Sequence, residues 1–564
     1  MIRPRLTLAA AATAAAAVTA IAAQPAGAAP SHGPDGHGRG RTVPVRLLAL
    51  NDFHGNLEPP TGNSGSAVGD DGKPVPAGGA AYVAAHIKRL TDRNTLKVAQ
   101  GDLIGASPLI SAAFHDEPSV QFMGDIGLTA SAVGNHEFDE GLTELQRIQN
   151  GGCHPVDGCS PAGPWKGAKF DYLGANVLRE ATNRPAIKPW TIRKINGVRV
   201  GIIGVVTKTT PTIVTADGIK GLRFDDEVAA ANRSARELKR RGVHAMVLLV
   251  HEGDQAAKDS KPNDCGVVPG AGTRIATEAD PDIDVVLSGH THQQYVCTVK
   301  DPKGQPRLYS SGSSFGRVIT QVDLQVDRRT DDIVRSSMKG VNHVVTQDVT
   351  PDPDTATFVQ YWKDKVATIS DRKIGTITAK IDRTPSPAGE TPLGDVIADA
   401  QLEAVRDKGA QVAVTNPGGV RTDLSFKNGG TVTYGDAFAV QPFSNVTGVT
   451  TLTGAQLDAV LEQQWTSAGE KILQPSSGLH FTIDRSKPVG DRVSDITIDG
   501  KAVDPAASYR VAANNFLLGG GDGFTVFTQG KDQVLGPIDL DALVSYFGSH
   551  SPVSPPPLDR ISGK

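Results

Sequence analysis

Residues 134–139, Gly-Asn-His-Glu-Phe-Asp, combine side chains that are suited to metal binding and proton transfer, and they directly follow the short apolar run 130–133. The amide oxygen of Asn135 can bind a metal ion. His136 is next in the chain, points in a different direction and could face a substrate. By itself the motif does not separate a functional site from an ordinary loop histidine, so the other apolar runs must decide.

Four further apolar runs end in the same way: residues 45–50, 96–99, 245–250 and 284–288. Short, β-branched and nearly continuous apolar runs are typical of buried strands in an α/β sheet. Ligands bind outside the carboxyl ends of such strands. The five runs are followed by candidate metal ligands, namely Asp52, His54, Asp102, Asn135, His251, His290 and His292. The sequence therefore predicts a metal site at one edge of a sheet.

The types of these side chains indicate which metals would bind. Imidazole and carboxylate ligands without thiolate suit zinc, manganese or iron rather than a structural zinc site. Seven groups exceed what one tetrahedral ion needs, so we expect two divalent ions, zinc, manganese or similar, that share a bridging carboxylate. Two ions about 3.5–4 Å apart activate water as hydroxide and neutralise phosphoryl oxygens in phosphate-ester hydrolysis. His136 is then expected to be the acid or transition-state cation, with Asp139 orienting it.

The ordered set D-x-H, G-D, G-N-H-E-F-D, H and G-H-x-H resembles the calcineurin-like metallophosphoesterases. Within them it is similar to the 5′-nucleotidase family of bacterial periplasmic UDP-sugar hydrolases and animal ecto-5′-nucleotidases. The resemblance implies that His136 and Asp139 are the catalytic pair. It implies one ion held by Asp52, His54, Asp102 and His292. It implies a second ion held by Asp102, Asn135, His251 and His290, so that Asp102 bridges the two.

The C-terminal half carries a set of residues suited to binding. Glycines between Asn416 and Arg421 let a ligand approach the backbone, and the Arg421 guanidinium can donate two parallel bonds to hydroxyl or phosphate oxygens. Phe443 and Phe516 could sandwich a nucleobase, although core positions for both rings are the alternative. The motifs N-x-G-G-x-R, P-F-x-N and N-F-x-x-G-G-D-G-F resemble the family's C-terminal substrate domain, in which two aromatic rings stack on the base. The expected binding residues are Asn416, Arg421, Phe443, Asn445, Phe516 and Asp522.

One position departs from the family pattern. The family has one or two arginines shortly before its N-L/M-G helix start, where this chain has Pro387 and Pro392. Thr391 and Pro392 are explained as the N-cap and the first residue of a helix. Arg383 is the nearby arginine and the candidate replacement for the lost one.

Periodicity and composition place these motifs in an α/β protein. Helical spacing is predicted at 80–90, 227–241 and 391–406, and a capping box at Thr453 opens another helix to about Trp465. The resemblance implies an αββα metallophosphoesterase β-sandwich, a linker helix and a smaller α+β substrate-binding domain. The predicted ranges are 43–345, 346–370 and 371–550, followed by a proline-rich polar tail at 551–564.

The residue pattern at the N-terminus predicts that the protein is exported. A basic start, an alanine-rich run and the cleavage motif Ala26-Gly27-Ala28 are typical of a signal peptide at 1–28, with a flexible leader at 29–42. A retained membrane helix is less favoured, because the run is mostly alanine and lacks a charged stop-transfer flank. A net charge of −4 does not suggest nucleic-acid or acidic-membrane partners. We expect a secreted protein with no membrane contact after cleavage.

The four cysteines fit an oxidising compartment. Three disulfide pairings can be drawn, and Cys153–Cys159 with Cys265–Cys297 is preferred. Cys153 and Cys159 flank a loop of turn-forming residues, whereas Cys265 and Cys297 flank the predicted strands of the metal site. A zinc site at Cys153 and His154 is the rival interpretation, but its cysteine spacing is wrong for a zinc knuckle.

Together these features predict a secreted dimetal phosphohydrolase that acts on small extracellular nucleotides, with 5′-nucleoside monophosphates as the first expectation. A UDP-sugar or dinucleotide pyrophosphatase would share the metal site. So would a 2′,3′-cyclic phosphodiesterase with 3′-nucleotidase activity. Outside this class, a non-catalytic surface binding module is the alternative, and the complete ligand set together with His136 argues against it. The sequence does not predict the oligomeric state.

Overall fold

The computed structural model describes residues 41–61, 64–214, 216–257, 260–443, 445–466 and 469–563. The predicted signal peptide, and the predicted leader up to residue 40, lie outside the described residues. None of the helices in the described ranges is both long enough and apolar enough to cross a membrane.

Two sheets make up the N-terminal part of the fold. The first sheet has the strand order Asp332–Ile333, Val318–Asp327, Thr42–Leu50, Thr95–Ala99, Ala130–Ala132 and Asp171–Leu173, and Lys339–Val344 also pairs with Val318–Asp327. The second sheet has the order Gln294–Lys300, Pro306–Gly312, Val285–Ser288, Ala245–His251, Val198–Val206 and Trp190–Ile195. The central strands of each sheet run parallel to one another.

The two sheets pack face to face, with apolar side chains from both in one buried cluster that includes Leu47, Val98, Leu249 and Leu287. Helices cover the outer faces: Ala80–Leu90, Leu109–Ala112, Glu117–Asp125, Gly141–Asn150, Glu227–Arg240 and Ala271–Glu278. Strands that are buried on both faces need apolar side chains at nearly every position, which explains the continuous runs in the sequence. The predicted αββα sandwich is confirmed.

The C-terminal part is a smaller α+β unit. Its five-stranded sheet has the order Gln474–Pro475, Val412–Thr415, Ser508–Asn514, Val446–Thr453 and Lys531–Ile538. Its four-stranded sheet has the order Lys501–Ala502, Val493–Ile498, Leu479–Ile483 and Ile561–Gly563. The helices are Pro392–Ala404, Tyr434–Val440, Gly454–Glu462, Asn515–Leu518 and Asp539–His550.

Capping side chains set the starts of the predicted C-terminal helices. The Thr391 hydroxyl accepts a hydrogen bond from the backbone N–H of Gly394, and Pro392 occupies the first turn. Thr453 forms the predicted capping box with Gln456. Both helices end earlier than predicted, at Ala404 and Glu462, since periodicity marks the buried face better than it marks the last turn.

The linker helix, Pro353–Ser370, begins later than the predicted 346 and packs against both parts of the protein. On one side it contacts the helices Ala80–Leu90 and Leu109–Ala112, and on the other it contacts Tyr434–Val440. Trp362 is buried, with its ring 4.7 Å from that of Phe114. The helix therefore holds the two parts together by side-chain packing.

Residues 551–563, which were predicted as a proline-rich polar tail, pack against the C-terminal part. Ile561–Gly563 pairs in parallel with the strand Leu479–Ile483. The buried Arg560 guanidinium donates to Asp399 at 2.8 and 3.1 Å and to the carbonyl of Pro475 at 2.8 Å. The polar, proline-rich composition led to the wrong expectation, because composition cannot reveal ion pairs between residues distant in sequence.

Both preferred disulfides, Cys153–Cys159 and Cys265–Cys297, are present, so the predicted pairing is confirmed. Cys297 differs from expectation in one respect: it is buried in the edge strand Gln294–Lys300 rather than in a loop.

The Arg560 contacts make a prediction about stability. Arg560→Met should lower the free energy of unfolding by about 3 kcal/mol or more, because Asp399 loses its partner in a largely buried setting. Urea denaturation measures this change. Lys169→Met is the matched control, since Lys169 pairs with Asp125 on the exposed surface and should cost about 0–1 kcal/mol. If both substitutions lower the free energy of unfolding equally, the buried Arg560–Asp399 ion pair contributes no more to stability than an exposed one.

Candidate metal centre and active site

The candidate ligands lie where strands of both sheets end. Asp52 and His54 follow Thr42–Leu50, and Asp102 follows Thr95–Ala99. In the same sheet, Asn135 follows Ala130–Ala132. The other three come from the second sheet, where His251 ends its strand and His290 and His292 follow Val285–Ser288. The carboxyl ends of these strands meet at one edge of the sandwich, so all seven side chains are brought together.

One group of possible ligands contains Asp52, His54 and His292. The Nε2 atom of His292 lies 3.4 Å from Oδ1 of Asp52 and 3.2 Å from Nε2 of His54. Ligand atoms about 2.0–2.2 Å from one tetrahedral ion lie about 3.3–3.6 Å from each other. The spacing therefore fits a divalent metal ion.

A second group contains Asp102, His251 and His290. The Nε2 atom of His251 lies 3.1 Å from Oδ2 of Asp102 and 3.1 Å from the amide oxygen of Asn135. The same Oδ2 atom of Asp102 is 3.5 Å from Nε2 of His54 in the first group. Asp102 therefore lies between the two groups, where a bridging carboxylate would have to be.

Hydrogen bonds fix the orientation of two of the imidazoles. Nδ1 of His54 is 2.8 Å from the carbonyl oxygen of Gly105, and Nδ1 of His251 is 2.7 Å from that of Gln100. Donation from Nδ1 to these carbonyls directs Nε2 at the cluster, and in the neutral imidazole Nε2 would then be the atom free to bind a metal.

Backbone strain marks the same residues. Asp52, His54, Asp102, His290 and His292 all have φ between 46° and 72°. This left-handed region costs non-glycine residues about 1–3 kcal/mol each. Such strain persists where the surrounding packing holds side chains in a required direction, which indicates a functional cluster.

The charges of the cluster are mutually dependent. Burial opposes protonation of His251, yet the adjacent Asp102 carboxylate raises the pKa of His251 to about 10. Although burial also acts on Asp102, the imidazoles of His251 and His136 hold its pKa well below the usual value. The free-energy cost of burying the negative charge of these carboxylates is offset only when positive charge lies close to them. The cluster therefore favours binding of cations.

Glu137, a residue of the G-N-H-E motif, joins two of the ligand loops. Its buried carboxylate accepts hydrogen bonds from the backbone N–H groups of Asp102 and Leu103, both at 2.9 Å, and of Gly134 at 2.5 Å. A side chain at position 134 would place its Cβ atom 2.0 Å from Oδ1 of Asp102. Glycine is thus required there so that the Asp102 and Asn135 loops can approach.

His136 lies outside the two ligand groups that contain Asp52 and His251, and it forms a third possible group with His54 and Asp102. Its Nδ1 atom is 2.7 Å from Oδ2 of Asp139, and its backbone N–H donates to Oδ1 of Asp102 at 3.0 Å. Burial lowers the pKa of His136, but the carboxylates of Asp139 and Asp102 raise it above the usual value overall. An imidazole held in this way can donate a proton.

A cavity of about 400 Å³ connects this centre to the C-terminal part. Its N-terminal lining includes Asp102, Asn135, His136, Asp139, Ile213, Val214, His290, Thr291 and His292. Its C-terminal lining is Asn416, Pro417, Gly418, Gly419, Arg421, Phe443, Asn445, Lys471, Phe516 and Asp522. All six predicted binding residues therefore line the same cavity as the predicted catalytic pair, a size and a mixture typical of small-molecule sites.

The two phenylalanines both line the cavity but have different neighbours. Phe443 stacks on His136, with ring centroids 5.6 Å apart, and the Arg421 guanidinium lies 5.6 Å from its ring centroid. The ring of Phe516 packs against the backbone of Gly521, where an added Cβ would approach it to 2.6 Å. Neither ring is fully buried, so both present a face to the cavity.

Amides and a carboxylate form one wall. Asn416 donates from Nδ2 to Asp522 at 2.8 Å and accepts from Asn514 at 3.1 Å. Asn445 is buried, and its backbone carbonyl accepts from the N–H of Asp539 at 2.8 Å. Burial raises the pKa of Asp539 to about 7, with the Asn445 side chain as a hydrogen-bond partner.

Two cationic residues differ from what sequence reasoning predicted. Arg383, the candidate replacement arginine, binds Asp423 at 3.3 Å and the carbonyl of Val420 at 3.0 Å, and it does not line the cavity. Lys471 does line it and was missed, because no motif surrounds it in the sequence.

Comparison with known proteins agrees with this arrangement. Residues 45–294 match the family model described as calcineurin-like phosphoesterase, and residues 367–529 match that of the 5′-nucleotidase C-terminal domain. The chain is 32% identical over 552 residues to the cell wall protein Lmo0130 of Listeria monocytogenes, covering 92% of this chain and 68% of that protein.

Two further relatives extend the comparison. The chain is 32% identical over 516 residues to the endonuclease YhcR of Bacillus subtilis, covering 90% of this chain but 40% of that protein. It thus spans less than half of that relative. The crystal structure of a 5′-nucleotidase precursor from Thermus thermophilus superposes with a TM-score of 0.76 at 27% identity, covering 92% of this chain and 99% of that one.

The fold and the site define a metallophosphoesterase, that is, a hydrolase of phosphoric esters that depends on divalent metal ions. The chain belongs to the 5′-nucleotidase family, which joins this domain to a smaller C-terminal nucleotidase domain.

Glu137 provides a test of how the ligand loops are held. Glu137→Ala removes the acceptor of three buried N–H groups, each of which costs about 1–3 kcal/mol when left unpaired. The free energy of unfolding in urea should fall by about 3 kcal/mol or more. Glu137→Gln keeps one acceptor oxygen and should lose less. The exposed Glu180 gives the control Glu180→Ala, and an effect no larger than that of the control would contradict a clamping role.

Proposed function

We propose that this protein is a secreted phosphohydrolase that releases phosphate from extracellular nucleotides, with 5′-nucleoside monophosphates as substrates. The observation that carries the proposal is the shared cavity, which is lined by imidazole and carboxylate groups of the candidate centre together with Phe516, Asn416 and Asp522. A nucleotide has the matching chemistry, since its phosphate is an anion and its base is a flat ring.

We assign two divalent ions, zinc, manganese or similar, to the two ligand groups. Asp52, His54, Asp102 and His292 would hold one ion, and Asp102, Asn135, His251 and His290 would hold the other. The ligand spacing of 3.1–3.5 Å supports this assignment. When bound, such a pair activates water and neutralises phosphoryl oxygens.

His136 is the proposed catalytic acid or transition-state cation, because it lines the cavity beside the ligand groups and Asp139 orients it. Asp139 accepts from Nδ1, so Nε2 is the atom available to the phosphate or the leaving oxygen. Arg421 adds a second cation, since it lines the same cavity and its guanidinium lies 5.6 Å from the ring of Phe443, which stacks on His136. We propose that its guanidinium binds phosphate oxygens.

We propose that the base stacks between Phe443 and Phe516, with Asn416, Asn445 and Asp522 binding its polar edge or the sugar. The position of Phe443 between His136 and the remaining wall supports this proposal. A base against that ring would place its phosphate near the catalytic pair, so recognition of the nucleoside would also position the reacting group.

Secretion is supported by the N-terminal pattern at 1–28, by the two disulfides and by the name of the Listeria relative, a cell wall protein. The substrate requires a panel, since relatives of this chain carry other names, among them endonuclease and apyrase. We would measure phosphate release from AMP, ADP, UDP-glucose, 2′,3′-cyclic AMP and a short oligonucleotide. Preference for any substrate that is not a nucleoside monophosphate would overturn the assignment to monophosphates.

The metal assignment predicts that chelation abolishes phosphate release from AMP and that Zn²⁺ or Mn²⁺ restores it. His136→Gln should instead lower kcat by about 10²–10⁴-fold, because it removes the proton donor and leaves the seven ligands in place. Elemental analysis of the purified variant should show unchanged metal content.

Two results would contradict this assignment. Full activity after exhaustive chelation would exclude a metal-dependent reaction. Loss of metal from His136→Gln would show that His136 is a ligand rather than the acid. Asp102→Asn is the matched comparison, since it should weaken both metal sites together.

Base stacking predicts that Phe516→Ala weakens kcat/KM for AMP by about 5- to 150-fold, the equivalent of one lost stacking contact. Ribose 5-phosphate carries the same reacting group without a base, and its turnover should hardly change. Phe516 is the informative position, because Phe443 also packs on His136. The exposed Phe426 gives the control Phe426→Ala. An unchanged ratio of AMP to ribose 5-phosphate in Phe516→Ala would assign that ring to the core alone.

A further inference from the structure

Lys471 is a charged residue of the cavity wall to which the proposed function assigns no role. It follows the short strand Gly469–Glu470 and lines the cavity together with Phe516 and Asp522. Its ammonium group lies 2.7 Å from Oδ1 of Asp522, and its side chain is 31% exposed. The ammonium is therefore held at the border between protein and cavity.

A chain of hydrogen bonds fixes its position. Asn514 donates to Asn416, Asn416 donates to Oδ2 of Asp522, and Oδ1 of Asp522 accepts from Lys471. Asp522 itself is held at φ 58°. The ammonium carries three N–H donors, and Asp522 takes one of them. An N–H donor held in a fixed position favours ligands that place a hydrogen-bond acceptor opposite it over ligands that place a donor there.

Lys471 and Arg421 have different neighbours in the cavity. Arg421 lies 5.6 Å from the ring centroid of Phe443, which stacks on His136. Lys471 is bound instead to Asp522, and the residue before Asp522, Gly521, packs against the ring of Phe516. Under the proposed function the base stacks on that ring, so Lys471 would lie beside the base.

The ion pair also indicates the type of ligand group. The carboxylate of Asp522 offsets the charge of Lys471, so the pair attracts a second phosphate weakly. What remains is a directional donor beside a base-stacking ring. Lysine and arginine commonly recognise the O6 carbonyl of guanine by such donation, whereas adenine presents an amino donor at that position.

We propose that Lys471 determines base specificity by donating a hydrogen bond to a carbonyl oxygen of the base, so that oxo-base nucleotides are preferred over adenine nucleotides. This inference rests on the proposed function, because it requires a nucleotide whose base lies beside Phe516. It names the preferred substrates as monophosphates with a keto group on the base.

The test compares IMP with AMP, which differ in having an oxo or an amino group at position 6 of the purine. The wild-type protein should use IMP with a kcat/KM about tenfold or more above that for AMP, as one charge-assisted hydrogen bond provides. Lys471→Met should bring the ratio close to unity. Lys471→Arg retains the donor and should keep the preference for IMP.

Lys427→Met is the matched control, because Lys427 forms an ion pair of the same length, 2.7 Å, with Asp436 and does not line the cavity. It should leave the ratio unchanged. An unchanged ratio of IMP to AMP in Lys471→Met would overturn the inference. If kcat/KM falls equally for both nucleotides, Lys471 contacts the sugar rather than the base.

Ribose 5-phosphate separates failure of this inference from failure of the proposed function. If the wild-type protein uses neither nucleotide better than ribose 5-phosphate, the nucleotidase assignment itself is wrong. If both nucleotides are preferred over ribose 5-phosphate and the ratio of IMP to AMP does not respond to Lys471→Met, the error lies in the role of Lys471 alone.

Discussion

The buried carboxylate of Asp102 is the constraint on which the active-site end of the structure depends. It lies within 3.5 Å of His54 and His251, which belong to different ligand groups, and its other oxygen accepts the N–H of His136. A buried carboxylate is tolerable only when positive charge or hydrogen-bond donors surround it. Gly134 leaves room for it, and Glu137 anchors its backbone.

The packed sheets of the sandwich provide the stability that the buried Asp102 carboxylate and the strained ligand loops require. Two mainly parallel sheets bring five loops to one edge, and their packed apolar core holds the strand ends rigidly. Strained backbone at Asp52, Asp102 and His292 is stable only because neighbouring strands leave these residues no alternative. The same rigidity holds the ligand atoms at distances suited to a metal ion.

The ring of Phe443 joins the proposed base-binding residues to the proposed catalytic residues. It belongs to the C-terminal part and stacks on His136 of the N-terminal part. The linker helix supports this contact, since Trp362 is buried and the helix packs on both parts. The cavity is lined by Arg421 and several candidate ligands, and also by amides and the ring of Phe516. This mixture is the physical basis of the proposed preference for a nucleotide over a simple phosphate ester.

The sequence by itself determined whatever depends on local order. Apolar runs ending in Asp, Asn or His predicted buried strands of an α/β sheet and the seven candidate ligands, and the caps at Thr391 and Thr453 predicted helix starts. Only the tertiary structure decided the place of Arg560, which belongs to the folded unit rather than to a tail, and of Arg383, which braces Asp423 outside the cavity. It alone brought Lys471 to Asp522, 51 residues away. Strand ends and caps are specified by neighbours in the chain, whereas these three cations are placed by partners distant in sequence, which no local pattern encodes.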